Sequence, residues 1–341
     1  MNGKLRSLML AAALGLGVGP GIAQAAAAAP AAPVAATNEA AAPAAAAEKP
    51  AAPARMKPTP GIGQPSPGEV TFQKQFTSTG NYALWMHNAI LMPLITAICL
   101  FVLGLLLWVM VVYRRREGRD PSRTSHNTLI EVLWTLVPVL ILIGVAIPSI
   151  DLLAKQFKPA PKDALTVKVT GYQWYWGYEY PDNEIPEYVS NLLPAEKAAA
   201  EGEPYLLAAD NRLVLPVGVP IKLIITAADV IHSFSIPAFW VKEDAVPGRL
   251  NEKTFTIDKP GVYYGVCSEL CGARHGFMPI AVEALPKAQF DQWVRSQGGK
   301  TAGDKAAEAA ASAAVPAAAP AATPVSTPAP AENAAAPTTN S

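Results

Sequence analysis

Cysteine and histidine are scarce: the 341 residues contain three cysteines and four histidines. No Cys-x2-Cys-His occurs, which excludes a covalently attached c-type haem. Excess charge is lacking too, since 27 basic residues offset 27 acidic ones, so nothing points to nucleic acid. Both ends lack large apolar side chains in any periodic pattern. The Ala/Pro-rich stretches 26–68 and 297–341 therefore cannot build a core and are expected to be disordered linker and tail. Long amphipathic helices are likewise missing from the C-terminal half, with "PKAQFDQWVRSQ" as the one candidate.

Long apolar runs are present. The chain opens with a basic n-region (Lys4, Arg6), a short Gly-interrupted apolar run and "AQA" at Ala23 to Ala25, the pattern of a secretory signal removed near residue 25. Ala89 to Val112 carries no charge and, at 1.5 Å per residue, spans about 36 Å, enough for the hydrocarbon layer. A second run, Leu129 to Ile150, is apolar apart from Glu131. The short connection holds Arg114, Arg115, Arg116, Arg119 and Arg123, which places it in the cytoplasm by the positive-inside rule. A transmembrane hairpin over 69–150 follows, with the rest of the chain on the exported side. Glu131 is either a proton or ion pathway residue or an interfacial residue meeting water, and its position leaves both open.

The exported region, 151–296, is a series of short alternating runs separated by Pro and Gly turns. They include Ala164 to Tyr180, Asn211 to Asp229, Glu252 to Cys267 and Met278 to Leu285. This argues for a small β-sandwich or Greek-key barrel. Within it, "GVCSELCGARHGFM" collects Cys267, Cys271, His275 and Met278. An oxidising compartment allows a Cys267–Cys271 disulfide, but the imidazole and thioether beside the thiols are then unexplained. Zinc has no use for a thioether. Thiolate, imidazole and thioether together suit copper, and the mononuclear blue-copper pattern has one cysteine where this window has two. Two thiolates can bridge two ions, which then require a second histidine. His87 and His126 flank the membrane runs, so His232 in "DVIHSFSIP" is the histidine in the right domain.

"DVIHSF", "CSELCGARHGFM" and the aromatic run "YQWYWGYEY", behind a two-helix hairpin, resemble subunit 2 of the aa3-type cytochrome c oxidases over about Thr71 to Arg295. The resemblance implies an all-β cupredoxin-like Greek-key barrel in the periplasm, anchored by the hairpin in the bacterial inner membrane. It also implies a binuclear copper A centre that takes electrons from cytochrome c and passes them to haem a of subunit 1. Oxygen reduction at haem a3 and copper B, with proton pumping, would belong to the complex with subunits 1 and 3. By the same resemblance Cys267 and Cys271 bridge two copper ions. His232 and Met278 complete one, His275 and the Glu269 carbonyl the other, and the Glu269 side chain reaches a magnesium or manganese ion at the subunit 1 boundary. Trp174 is implied as the residue where electrons enter. Glu179, Asp210 and Asp229 look like cytochrome c docking acids, although the family often has a second acid where this chain has Ala228. Glu131, three residues before the "WT" pair, aligns with the mouth of a proton pathway. Phe234, Ile236, Phe277 and Ile280 are the apolar residues expected near the ligands.

A quinol oxidase subunit 2 lacks these copper ligands, and a copper-storage protein has no use for Trp174 or Glu131. Nitrous oxide reductase uses a similar site without this hairpin. Cys99, in the first apolar run, is read as packing.

Overall fold

Proline and capping chemistry shape the membrane hairpin. The computed structural model describes residues 50–313 except 116, 117, 119 and 121. The signal segment 1–25, the start of the linker and the tail beyond 313 lie outside the described residues. The first apolar helix begins well before Ala89: α1 (Ser78–Met86) is capped by Thr77, whose hydroxyl accepts the Gly80 N–H at 3.0 Å. One π-helical turn, His87–Leu91, leads into α2 (Met92–Val112), which carries a proline in its first turn. Pro93 has no N–H to offer the preceding turn, and the helix widens there without breaking. α3 (Thr128–Gln156) runs six residues past Ile150. Ser78–Val112 and Thr128–Gln156 are both long and apolar enough to cross a membrane, and none of their most apolar stretch is buried within the chain.

The region after the hairpin is a sandwich of two five-stranded sheets. One has the order β3-β2-β1-β5-β8 and the other β4-β10-β9-β6-β7. The strands are β1 (Leu165–Tyr172), β2 (Tyr175–Tyr180), β3 (Ile185–Ser190), β4 (Leu213–Pro216), β5 (Pro220–Ala227), β6 (His232–Ile236), β7 (Val241–Ala245), β8 (Asn251–Thr256), β9 (Gly261–Cys267) and β10 (Pro279–Leu285). β1 pairs parallel with β5, and β4 with β10; the other ladders are antiparallel. Alternation works as the period of two demands: along β5, Ile221, Leu223, Ile225 and Ala227 are buried while their neighbours are half-buried. These residues meet Trp176, Tyr178, Phe234, Ile280 and Val282 in one core. Three further helices are short: α4 (Ala195–Glu201), α5 (Lys287–Ser296) and α6 (Ala302–Ala313). α5 is the amphipathic segment expected from the sequence, and it closes one end of the core with Phe290, Trp293 and Val294.

Parts of both Ala/Pro-rich ends differ from the expectation of disorder. From residue 50 the chain lies along the barrel as a strap before it reaches α1. Arg55 donates to the Glu203 carboxylate at 2.9 Å and to the carbonyls of Ala209 and Asp210 at 2.8 and 2.7 Å. The Met56 N–H donates to Glu283 at 2.8 Å, and its carbonyl accepts from Arg212 at 2.7 Å. Arg212 in turn pairs with Glu203 at 2.6 Å and Glu283 at 2.8 Å, all three side chains being almost wholly buried. Arg55 therefore balances a second carboxylate that Arg212 alone cannot neutralise. Composition registered the alanines and missed this one cation. In the tail, α6 is stapled by a Thr301–Asp304 capping box and by ion pairs of Arg295 with Asp304, Lys300 with Glu308 and Lys305 with Glu184.

Burial pushes the Glu203 carboxyl up, but Arg212 and Arg55 outweigh burial and hold it below the usual carboxylate range. That contribution is present above the unfolded carboxylate range and is lost as pH falls through the folded value. Arg55→Ala should destabilise the barrel by about 2 kcal/mol, lowering Tm by about 4–8 °C at neutral pH, with a smaller deficit in acid. Differential scanning calorimetry at two pH values checks both parts.

Candidate metal centre

The site forms where one sheet runs out of ladder. β6 begins at His232 and β9 ends at Cys267; they are antiparallel neighbours with Phe234 opposite Cys267. The Ser268 N–H still donates to the Ser233 carbonyl at 3.0 Å, so Cys267 is held beside His232 up to the last rung. The loop 268–278 then folds back into β10 through one 3-10 turn, His275–Phe277. This return places Cys271 against Cys267 and Met278 against Cys271.

All the proposed first-coordination atoms converge. The Cys267 and Cys271 sulfurs are 3.9 Å apart, and both thiols are free. His232 Nδ1 lies 3.9 Å from the Cys267 sulfur, and His275 Nδ1 lies 3.6 Å from the Cys271 sulfur. The Met278 sulfur is 3.4 Å from Cys271, and the Glu269 carbonyl accepts from the Cys267 thiol at 3.3 Å. The donor atoms of His232, Cys267 and Cys271 fall within 4.8 Å of one another. One imidazole thus flanks each sulfur. Both cysteines, His232 and Met278 are buried, whereas Glu269 is exposed. Two soft sulfurs shared between two imidazoles, with a thioether and a carbonyl at the margins, fit a pair of copper ions.

Residues around this set remove slack. Trp176 donates its indole N–H to the Met278 carbonyl at 3.3 Å and meets the His232 ring edge-on at 5.9 Å. Gly171 lies against the same ring: a Cβ there would come 2.9 Å from His232 Cδ2. Trp174, half-buried in the β1–β2 turn, donates to the Cys271 carbonyl at 3.2 Å, and the Gln173 side chain donates to the same oxygen at 2.7 Å. Gln173 and Gly171 were not singled out from the sequence, and Trp176 only as one of the aromatic run, because their roles depend on contacts between the two sheets. Of the apolar residues expected here, Phe234, Ile236 and Ile280 are buried, but Phe277 is 41% exposed and seals nothing in the isolated chain.

The acids and Glu131 are already engaged. Glu179 pairs with Lys168 across β1 and β2 at 3.0 Å. Asp210 accepts from the Asn191 and Asn211 N–H groups at 2.7 and 2.6 Å. Asp229 accepts from the Gln173 N–H at 2.7 Å and from the Val230 N–H at 2.6 Å, and its Oδ1 is 2.9 Å from His232 Nε2. Glu131 sits in the first turn of α3, where its carboxylate accepts from the Asn127 N–H at 3.2 Å while Asn127 caps Ile130. It also lines a groove with Thr128, Val132, Thr135, Leu136 and Val139.

A β-sandwich behind two helices long and apolar enough to cross a membrane, with two thiols, two imidazoles and a thioether gathered where a metal could be held, defines a narrow class of proteins. Residues 165–285 match the family model of the cytochrome c oxidase subunit II periplasmic domain, and residues 65–152 that of its transmembrane domain. The probable cytochrome c oxidase subunit 2 of Rickettsia conorii is 45% identical over 239 residues, covering 70% of this chain and 75% of the relative. The cytochrome c oxidase subunit 2 of Cereibacter sphaeroides is 38% identical over 259 residues, covering 70% and 84%. The crystal structure of the periplasmic domain of subunit II of cytochrome oxidase from Bradyrhizobium japonicum is 48% identical. It covers 41% of this chain and 97% of that one, with a TM-score of 0.38. The chain belongs to the cytochrome c oxidase subunit 2 family, and so to the subunits of a haem-copper oxidase complex.

Proton affinities decide how the site loads. Burial pushes the Cys267 thiol up, but its contacts with His232, the Ser233 and Glu269 backbones and His275 outweigh burial and bring it to about 7. Burial and the neighbouring Cys267 push the Cys271 thiol up to about 12. Burial draws His232 down, but Cys267 and Asp229 outweigh it and raise the imidazole. Metal binding requires all three deprotonated. Both thiols are protonated at pH 6 and chiefly Cys271 at pH 8, so copper loading should release more thiol protons at pH 6 than at pH 8. Apparent affinity should rise with pH. Titration calorimetry in buffers of differing ionisation enthalpy measures both.

Proposed function

We propose that this chain is the electron-accepting subunit of its oxidase. It takes single electrons from cytochrome c at Trp174 and delivers them through a binuclear copper A centre to haem a of subunit 1, for oxygen reduction coupled to proton pumping. The observation that carries this is the convergence of Cys267, Cys271, His232, His275 and Met278 at the end of one β ladder. When bound, the copper pair would supply a one-electron redox centre shared across the two bridging thiolates. His232 and Met278 would hold one ion, His275 and the Glu269 carbonyl the other.

The protein's part is to hold these donors still. All five side-chain donors lie on the β6–β9 ladder and its return loop, and the core behind them is continuous, so the donors have little freedom to rearrange between oxidation states. Burial of both sulfurs excludes water. Trp174 shares the Cys271 carbonyl with Gln173, which joins the outer surface to a sulfur ligand by one hydrogen bond and a few covalent bonds. The exposed Glu269 side chain is free to meet a magnesium or manganese ion at the subunit 1 boundary.

Docking of cytochrome c is assigned to the surface around Trp174, with Glu179, Asp210 and Asp229 as its acids. Lys168 cancels Glu179 locally, so steering by these acids is weak and should fade with salt. Glu131 is proposed as the mouth of a proton pathway, with its groove facing subunit 1; its capping bond to Asn127 then orients the carboxylate. We further propose a signal over 1–25, the anchor over 69–150 and the copper domain over 151–296, exposed to the periplasm from the bacterial inner membrane beside subunits 1 and 3.

Trp174→Phe in the assembled oxidase keeps an aromatic ring, though a smaller one, and loses the indole N–H. It should slow reduction by cytochrome c by on the order of 10²-fold, as loss of a positioned partner does, while the copper spectrum stays unchanged. Stopped-flow mixing with reduced cytochrome c measures it. Reduction at the wild-type rate would mean that electrons enter elsewhere.

A further inference from the structure

Asp229 holds more than its expected role as a docking acid requires. It lies in the loop between β5 and β6, three residues before His232. Its Oδ1 is 2.9 Å from His232 Nε2, and the His232 side chain is wholly buried. Its Oδ2 accepts the Gln173 N–H at 2.7 Å. The Gln173 side chain and the Trp174 indole both donate to the Cys271 carbonyl. A continuous circuit therefore runs from one copper ligand through Asp229 to the Trp174 turn and on to the backbone of a second ligand.

The circuit is closely packed at both ends. Gly171 leaves no room beside the His232 ring, and Gly272, at φ +121°, brings the loop so close that a Cβ would lie 3.1 Å from both the Gln173 amide and the Trp174 ring. Any other residue at 272 would be strained and would push the turn away.

We infer that Asp229 is a positioning residue, which fixes the tautomer and orientation of His232 and clamps the Trp174 turn onto the Cys271 loop. This inference rests on the copper reading above. With Nε2–H donated to the carboxylate, the Nδ1 lone pair is left facing Cys267, the side on which a metal would bind. The carboxylate also makes the imidazole a stronger donor and places a negative charge beside the site, which favours the oxidised metal. Removing it should raise the midpoint potential. A carboxylate that only steers cytochrome c would leave the copper centre unchanged.

The test compares wild type with Asp229→Ala and Asp229→Asn as full chains purified in detergent, without cytochrome c. Asparagine keeps the volume, so it serves where alanine fails to fold; it can satisfy His232 only by turning its NH2 toward the Gln173 N–H. Both variants should show a higher midpoint potential and lose copper to a chelator about 10- to 100-fold faster. In copper-free protein the Gln173 amide should exchange about tenfold faster. Wild-type values for potential, copper retention and exchange would overturn the inference, even with a raised KM for cytochrome c. If wild type itself takes up no copper, the copper reading fails. Amide exchange alone then decides: retained protection of Gln173 overturns the positioning role and lost protection supports it.

Discussion

Two buried sulfurs 3.9 Å apart cannot both ionise unless a cation sits between or beside them. At that separation two like charges repel by about 4 kcal/mol even at an effective dielectric constant of 20. The conflict is visible in the thiols themselves, one drawn down to about 7 and the other driven up to about 12. A site built this way stores a demand for positive charge. The rest of the domain meets that demand by keeping the sulfurs side by side: the β6–β9 ladder holds Cys267, the tight return loop holds Cys271, and Trp176 pins the Met278 carbonyl.

The same logic of compensated burial runs through a second cluster in the sandwich. Glu203 and Glu283 are buried beside a single arginine of the domain, Arg212, and the balancing cation comes from Arg55, far away in sequence. The strap that carries Arg55 continues into the membrane helices, so the segment before the hairpin is part of the β-sandwich's architecture. A fragment beginning near residue 151 would have its β strands but an unbalanced buried charge. The apolar faces of α2 and α3, unburied within the chain, match a subunit whose partners in the complex lie in the membrane.

The side chains that converge at the candidate site were legible because a metal site constrains both residue type and spacing. Cys267, Cys271, His275 and Met278 fall within one loop, and His232 was reached by counting the remaining histidines. The sandwich was legible from alternation, as in β5, and α5 from its amphipathic pattern. The ends of the helices were not: "STGNYALWM" is too polar to register as a span, yet Thr77 caps it and the helix runs straight through. Order in 50–63 was hidden because low complexity describes average composition, whereas docking depends on one arginine. The engagement of Glu179 by Lys168 needed the β1–β2 register. The circuit through Asp229 needed three separate loops in one place, although the "DVIH" spacing held a hint of it.

Whether a single electron is shared across the two sulfurs is the claim on which the account stands. Low-temperature electron paramagnetic resonance of the copper-loaded full chain, with copper counted per chain, tests it most directly. The account predicts two copper ions per chain and a seven-line hyperfine pattern. One copper with a four-line pattern, or no bound copper, would contradict it.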